Sequence, residues 1–448
     1  MDASAHFRGK KVTVMGLGLL GRGVGDAKFL AECGAELIVT DLKTHEALAD
    51  SVEQLKEFQN IQFVLGEHRL KDFRERDMIL KAAGVPMNSP YIDEARKHNI
   101  PVRMSADLFA ELSSVPVVGI TGTRGKSTVT HMVHAILKEA KKDVVLGGNV
   151  RGVSTLALLK DVTLESIAVL ELDSWQLQGW GEARMSPHIA VFTTLYPDHL
   201  NYYKDKPEMY LVDKVNIFLY QGSEDTLVLG KQCAPLLIEK YGEQIESKVV
   251  VTDEFKFPDT WVLKIPGVHN RYNAALALVV ARALNVEDSV SRRALESFAG
   301  VPGRLELIAE KNGVKIYNDN NSTTPEATIM GLRAVGTPEE QKVVLILGGD
   351  EKNLDMTTLI GEIQKWCSKV VLFKERGTDR IRDQIFALQN EGVEVYEEEG
   401  MQPTVARALS VAVPGETILY SPAFSSFGKY FENEYDRGDQ FNALINAI

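Results

Sequence analysis

A glycine-spaced run ending in Lys-Ser limits what this chain can fold into more than any other feature. Gly119-Ile120-Thr121-Gly122-Thr123-Arg124-Gly125-Lys126-Ser127-Thr128 follows the apolar pair Val117-Val118 and precedes a helical stretch, Val129 to Lys138. Strand, glycine loop and helix start build a phosphate cradle: glycines let backbone N–H groups turn inward, and the helix N-terminus adds partial positive charge. In such a cradle Lys126 reaches the β- and γ-phosphates of ATP and Ser127 ligates Mg2+, with Gly122, Thr123, Gly125 and Thr128 forming the rest of the loop. The common GxxxxGK[ST] spacing asks for glycine at 120, where this chain has isoleucine; the glycines at 119 and 122 give GxxGxxGKST instead.

The same order recurs along the 448 residues: a short β-branched run, a glycine-bearing turn, then a helical stretch. Apolar runs occur at Val12–Met15, Glu36–Thr40, Val117–Thr121, Ile167–Glu171, Ile189–Thr193, Val343–Leu347, Val370–Phe373 and Thr417–Tyr420. Strands alternating with helices predict α/β domains on mainly parallel sheets, and the length exceeds what one core supports. Ser113-Ser114-Val115-Pro116 and Gly300-Val301-Pro302-Gly303 read as linkers, which places domains at 1–113, 114–300 and 301–448.

Bulk properties exclude several classes. A formal charge of −12 argues against nucleic acid as the main partner. Cys33, Cys233 and Cys367 have no paired spacing and suit reduced thiols, not a disulfide framework or a zinc site. No apolar stretch approaches the roughly 18 residues needed to span a membrane, and the N-terminus does not read as a secretory signal. The cytoplasm is the expected compartment, without membrane insertion.

Downstream of the loop, Glu171 closes an apolar run. Strand C-termini form the ligand edge of a parallel sheet, so Glu171 should face the nucleotide, and a hard carboxylate there suits Mg2+. Thr193-Thr194-Leu195-Tyr196-Pro197-Asp198-His199 puts an Asp-His pair after the next strand. A lone histidine is more often structural than a ligand; Asp198 and the strand end favour a role. Lys214 stands fifteen residues beyond His199, and without context would be a solvent-facing helix lysine.

Near the N-terminus, Gly16-Leu17-Gly18-Leu19-Leu20-Gly21 follows Val12–Met15, and Asp41 lies 20 residues past Gly21. By itself this is a dinucleotide fingerprint. An NAD-dependent oxidoreductase is therefore a competing reading, although it leaves the phosphate loop without a role. A nucleotide-gated regulator without chemistry is a third; Glu171, Asp198 and Lys214 favour catalysis over it.

The phosphate loop resembles the TGTNGKS/T loop of the muramyl ligase family, with Arg124 where that family commonly has asparagine. Glu171-Leu172-Asp173-Ser174-Trp175-Gln176-Leu177 is similar to its ELSSFQL, and the Asp198-His199 segment to its NxxxDH. Gly147-Gly148-Asn149 sits where relatives have a GGN turn, and His269-Asn270-Arg271-Tyr272-Asn273 resembles HNxxN. Further on, Gly300–Glu306 resembles GLPHR(F/L)E, Asn318-Asp319 begins an NDS-like run, and Leu347–Lys352 is similar to LGGDxK. Ser421-Pro422-Ala423, Ser425-Ser426-Phe427 and Arg437-Gly438 resemble the closing SPAxxSF…RG. Each fragment is weak; their order covers essentially the whole chain.

The resemblance implies three α/β domains: Rossmann-like and UDP-substrate-binding, then P-loop-type and ATP-binding, then Rossmann-like and amino-acid-binding. It implies an ATP-dependent ligase that makes an acyl phosphate and joins glutamate to UDP-N-acetylmuramoyl-L-alanine in peptidoglycan precursor synthesis. D-glutamate is the default, L-glutamate the alternative, and a monomer is expected. Ser127, Glu171, His199 and Lys214 would hold two Mg2+ ions, Lys214 as a carbamate formed with CO2. Asn273 would contact adenine, Asp319 would meet the nucleotide, and Arg304 would reach the phosphates as an arginine finger does. Gly18, Leu19, Leu20, Asp41 and Lys43 would hold the uridine diphosphate, with Gly84 and Asn149 beside the substrate. Lys352 would bind one amino-acid carboxylate, with Thr323 and Ser426 taking part at the other. The pattern is departed from here as well: Gly303 replaces the motif's histidine, Asn321 replaces the lysine of NDSKATN, and Phe431–Arg437 is altered from the usual KNFEERG.

Overall fold

The β-branched runs pair side by side into three sheets. The computed structural model describes residues 3–196, 198, 202–203, 206–338 and 340–447. The first sheet holds β1 (Lys11–Met15), β2 (Glu36–Asp41), β3 (Ile61–Leu65), β4 (Met78–Lys81) and β5 (Val102–Arg103). Its order is β3-β2-β1-β4-β5, every pair parallel. The second holds β6 (Val117–Thr121), β7 (Val144–Gly148), β8 (Ile167–Glu171), β9 (Ile189–Phe192), β10 (Thr226–Gly230) and β11 (Lys248–Thr252). It is also all parallel, in the order β11-β10-β9-β6-β8-β7.

The third sheet holds β12 (Glu306–Lys311), β13 (Val314–Asn318), β14 (Val343–Leu347), β15 (Cys367–Phe373), β16 (Glu394–Glu398) and β17 (Thr417–Tyr420). Its order is β12-β13-β17-β14-β15-β16, parallel except for the β12–β13 hairpin. The chain divides into two compact units. One runs to Asp259 and includes Tyr272–Leu295; the other comprises Thr260–Arg271 and the chain from Glu296 onward. The first two sheets belong to the first unit and the third sheet to the second.

Central strands are mostly apolar because both sheet faces are covered; all five residues of β14, Val-Val-Leu-Ile-Leu, are buried. The edge strand β16, Glu-Val-Tyr-Glu-Glu, carries charge, which discourages pairing with another chain. That mixture also hides such strands from a search for apolar runs. The helix expected from Val129 begins earlier, at Lys126, because Gly125 at φ 86° already starts it. Among the described residues no helix is long and apolar enough to cross a membrane.

Topology places the sites. The chain leaves β1 and β6 for strands on one side and later returns to the other, so each borders a reversal of strand order. Crevices outside the strand C-termini at such points are where α/β sheets bind ligands. The two glycine loops follow those two strands.

Candidate active site

The loop after β6 turns sharply because Gly122 (φ 140°) and Gly125 (φ 86°) both lie in the left-handed region. A side chain at Gly122 would collide, its Cβ falling 2.0 Å from Thr193 Oγ1. The loop is latched to the segment after β9 mainly through its backbone. Thr123 N–H donates to Thr194 O at 2.7 Å and Arg124 N–H to Thr194 Oγ1 at 2.9 Å. Lys126 folds back, its Nζ donating to Gly122 O at 3.0 Å and Thr123 O at 3.3 Å. Ser127 and Thr128 are buried in the first helical turn. Asn273 closes one side, its Oδ1 lying 2.5 Å from where a Cβ on Gly125 would stand. Ile120, where the common spacing has glycine, is fully buried inside β6 between Glu171 and Val191. The strand keeps its apolar residue and the turn starts two residues later.

Glu171 ends β8, the strand beside β6, and is 3% exposed. The Asn149 backbone N–H donates to Glu171 O at 2.7 Å, and its Nδ2 to Glu171 Oε1 at 3.2 Å. Lys214, on the helix Pro207–Val215, is 1% exposed and lies beneath the loop. Its Nζ donates to Gly122 O at 3.0 Å and Thr121 Oγ1 at 3.1 Å, and sits 4.8 Å from the Tyr210 ring centroid. It is not the solvent-facing lysine that its local sequence alone would suggest. Burial pushes its ammonium well below the usual lysine range and the charge of Lys126 adds to that, while Asp173, Asp198 and Glu171 oppose it.

The donors at this edge, a serine hydroxyl and a carboxylate, are hard oxygens. They fit Mg2+, which takes one or two carboxylates and leaves other positions to water and phosphate. Among the described residues no three His, Cys, Asp or Glu side chains gather as a metal cluster. His199 lies outside the described residues.

At the C-terminal edge of the first sheet, the turns after β1, β2 and β4 are neighbours. They bring together Gly18, Leu19, Leu20, Asp41, Lys43 and Gly84. Asp41 is buried, accepting the Gly18 N–H on Oδ2 at 3.0 Å and the Lys43 N–H on Oδ1 at 2.9 Å. Its carboxylate shapes the loop. Leu19 is half-exposed and a side chain at Gly84 would meet open space.

In the second unit, Lys352 Nζ donates to Thr323 Oγ1 at 3.0 Å, so two residues expected at the amino acid are in contact. Ser426 is buried. Asp319 is buried and held inside the fold: Oδ2 accepts Ser322 Oγ at 2.6 Å and Ser421 Oγ at 2.8 Å, and Oδ1 accepts the Leu305 N–H at 3.1 Å. Burial raises its carboxyl to about 6. By gripping Leu305 it anchors the backbone next to Arg304. Arg437, fully buried, donates to Asn320 Oδ1 at 2.6 Å, Asn320 O at 2.8 Å and Phe424 O at 3.1 Å, binding the closing RG element to that same loop.

Three residues escaped the sequence reading. Lys81, closing β4, is 2% exposed and donates to Ala82 O, Ala83 O and Val85 O at 3.2, 3.3 and 2.8 Å. Burial lowers its ammonium to about 7. Its signal was a lysine ending an apolar strand. Arg22 donates to Asn149 Oδ1, and Asp26 accepts Ser105 Oγ at 2.7 Å and Ser154 Oγ at 2.6 Å. Nothing local marks either.

Residues 10–104 match the Mur ligase MurD-like N-terminal domain, 120–281 the Mur ligase middle domain, and 303–424 the Mur ligase glutamate ligase domain. The glycine loop that also fits a dinucleotide fingerprint thus falls within a Mur ligase domain. The UDP-N-acetylmuramoylalanine–D-glutamate ligase of Roseiflexus sp. (strain RS-1) is 35% identical over 99% of this chain and 100% of its own length. That of Borreliella afzelii (strain PKo) is 32% identical over 97% of each. Among solved structures, the UDP-N-acetylmuramate–alanine ligase MurC of Thermotoga maritima has a TM-score of 0.62 at 18% identity, covering 98% of this chain and 99% of that one. The MurF ligase of the same organism, solved with ADP, has a TM-score of 0.60 at 18% identity, covering 100% and 97%. At such identities these structures speak for the fold.

Proposed function

The chain belongs to the Mur ligase family and is an ATP-dependent amide-bond-forming ligase; from that premise we propose that it joins D-glutamate to UDP-N-acetylmuramoyl-L-alanine in the cytoplasm, as a monomer, for peptidoglycan precursor synthesis. The observation that supports this best is the meeting of Lys126, Ser127, Glu171 and the buried Lys214 at one sheet edge. Residues 1–113 take the UDP substrate, 114–300 ATP and 301–448 the amino acid.

A carboxylate does not acylate an amine at neutral pH because its oxygen leaves poorly. In the proposed reaction the substrate's carboxylate attacks the γ-phosphorus of ATP, the bond to the β–γ bridging oxygen breaks, and ADP departs from an acyl phosphate. The glutamate amine then adds to the acyl carbon and loses a proton, and phosphate leaves with the C–O electron pair as the amide forms. Lys126 exchanges its two loop carbonyls for phosphate oxygens, where its charge offsets that developing in transfer. Ser127 and Glu171 would hold Mg2+, which would supply further charge neutralisation.

Lys214, once neutral, adds to CO2: an N–C bond forms, a proton is released, and a carbamate anion remains for the metal side. His199 belongs to the same proposal. Asn273 holds adenine, while Arg304 and Asp319 serve the nucleotide. Lys352 holds one glutamate carboxylate, and Thr323 and Ser426 take part at the other. Gly18, Leu19, Leu20, Asp41, Lys43, Gly84 and Asn149 receive the UDP substrate.

The test is ADP release with each glutamate enantiomer in turn, with and without UDP-N-acetylmuramoyl-L-alanine. Release requiring both the UDP substrate and D-glutamate is expected. Release without the UDP substrate would overturn the ligase assignment, and a preference for L-glutamate would overturn the enantiomer.

A further inference from the structure

Arg22 is the first residue of the helix Arg22–Glu32, directly after the glycine loop of the first sheet. Its guanidinium donates to Asn149 Oδ1, in the turn after β7 of the second sheet. A guanidinium has donors only, so the amide oxygen must face Arg22 and the amide nitrogen must face away. On that far side Asn149 Nδ2 lies 3.2 Å from Glu171 Oε1. The orientation of the amide, and with it the donor that Glu171 receives, is therefore set by Arg22.

Neighbouring residues of the same helix hold the contact together. Gly25 packs so closely that a Cβ there would lie 2.6 Å from Ser154 Cβ. Asp26, one turn beyond Arg22, accepts Ser154 Oγ at 2.6 Å. One helix face thus grips the segment 149–154 at both ends.

We propose that Arg22 is a positioning residue for the ligation: it orients the Asn149 carboxamide, which donates to Glu171 Oε1 and steadies the carboxylate that would hold the cation. This rests on the reading of Glu171 as a metal-side carboxylate. It links the glycine loop of the first sheet to the metal edge of the second through two hydrogen bonds. Without the donor-only partner the amide can turn its oxygen toward Glu171, where two acceptors repel.

The test compares R22Q and R22K in the full chain. Glutamine can donate or accept and no longer dictates the amide; lysine only donates. The readout is Mn2+ binding with ADP and no UDP substrate, followed by the paramagnetic resonance of free Mn2+. R22Q is expected to weaken Mn2+ about tenfold, the scale of one hydrogen bond to a charged group, and R22K to stay within about threefold by the same scale. If R22Q does not fold, R22M carries the same expectation. Affinities equal to wild type in these variants, or equal weakening in R22Q and R22K, would overturn the relay. Wild-type chain that binds Mn2+ and ADP but shows no glutamate-dependent ADP release would instead overturn the ligase assignment.

Discussion

The glycine loop after β6 in the first unit and the loops around Gly303 and Asn321 in the second depart from the family pattern in different ways. In the phosphate loop the departure is Arg124, and the latch there uses its main chain. Its N–H donates to Thr194 Oγ1, and its carbonyl accepts from the hydroxyls of Thr193 and Thr194. A side chain can therefore change while the cradle stays. In the second unit two departures, Gly303 and Asn321, touch each other. A Cβ on Gly303, at φ 69°, would stand 3.0 Å from Asn321 Nδ2. Asn321 in turn donates its N–H to Gly303 O at 3.0 Å and Nδ2 to Pro302 O at 3.3 Å. The charge lost at 321 is replaced by a tether between two loops. A backbone-built site constrains its glycines, whereas a site built from side chains can be rewritten in pairs.

The largest effect expected from that contrast is at Lys126, the one side chain in the loop whose charge the cradle needs. Lys126→Ala should lower kcat by about 10²–10³ or more, as removal of a preorganised electrostatic donor does. Arg124→Asn should change it by less than about threefold, a shift of under 1 kcal/mol. Steady-state ADP release measures both. A strong Arg124→Asn defect with a mild Lys126→Ala one would reverse the comparison.

Next comes Lys214, buried beneath the loop, whose proposed carbamate would act through its charge. Lys214→Ala should lose roughly 10–100-fold in metal-dependent activity, the scale seen when a group supporting a metal is removed. Formate or acetate should restore part of it by supplying the missing anion. Full activity of the mutant in CO2-free buffer would rule out the carbamate.

Asp26 tests a side-chain tether inside the first unit. Burial raises its carboxyl to about 6, against the two serine hydroxyls and Arg22, which pull it down. The folded value lies above the unfolded one, so its stabilising contribution is complete below about pH 4 and is lost as pH rises through about 6. A shift of this size corresponds to about 2–3 kcal/mol. Asp26→Asn should flatten that share of the decline in denaturant-unfolding stability between pH 4 and 7. Identical pH profiles in mutant and wild type would show that the tether does not titrate.

The smallest effect expected is the coupling at 303 and 321. Gly303→His should weaken glutamate binding, since a side chain at positive φ costs about 1–2 kcal/mol and crowds Asn321. Combining it with Asn321→Lys should recover about 1 kcal/mol or more relative to additivity. A double-mutant cycle on the KM for glutamate reads this directly, and strict additivity would show the two departures to be independent.

What could be read before folding was local. Strand β6, its glycine turn and the helix start are contiguous, and so are Lys126 and Ser127; Glu171 showed itself by closing an apolar run. Ordered motifs carried the family. Lys214 was noticed by its spacing alone, and its surroundings were invisible, because burial under Gly122 and Thr121 joins segments more than 90 residues apart. The same holds for Arg22 on Asn149, 127 residues away, and Asp26 on Ser154, 128 residues away.

Sequence by itself determined the glycine positions, the apolar strands and the identity of the charged groups, since backbone dihedrals and hydrophobic runs are properties of neighbours in the chain. Tertiary structure alone decided which charges are buried, which amide faces which carboxylate, and that Gly303 and Asn321 meet. Desolvation and hydrogen-bond direction depend on what packs around a group, and those neighbours come from distant parts of the chain.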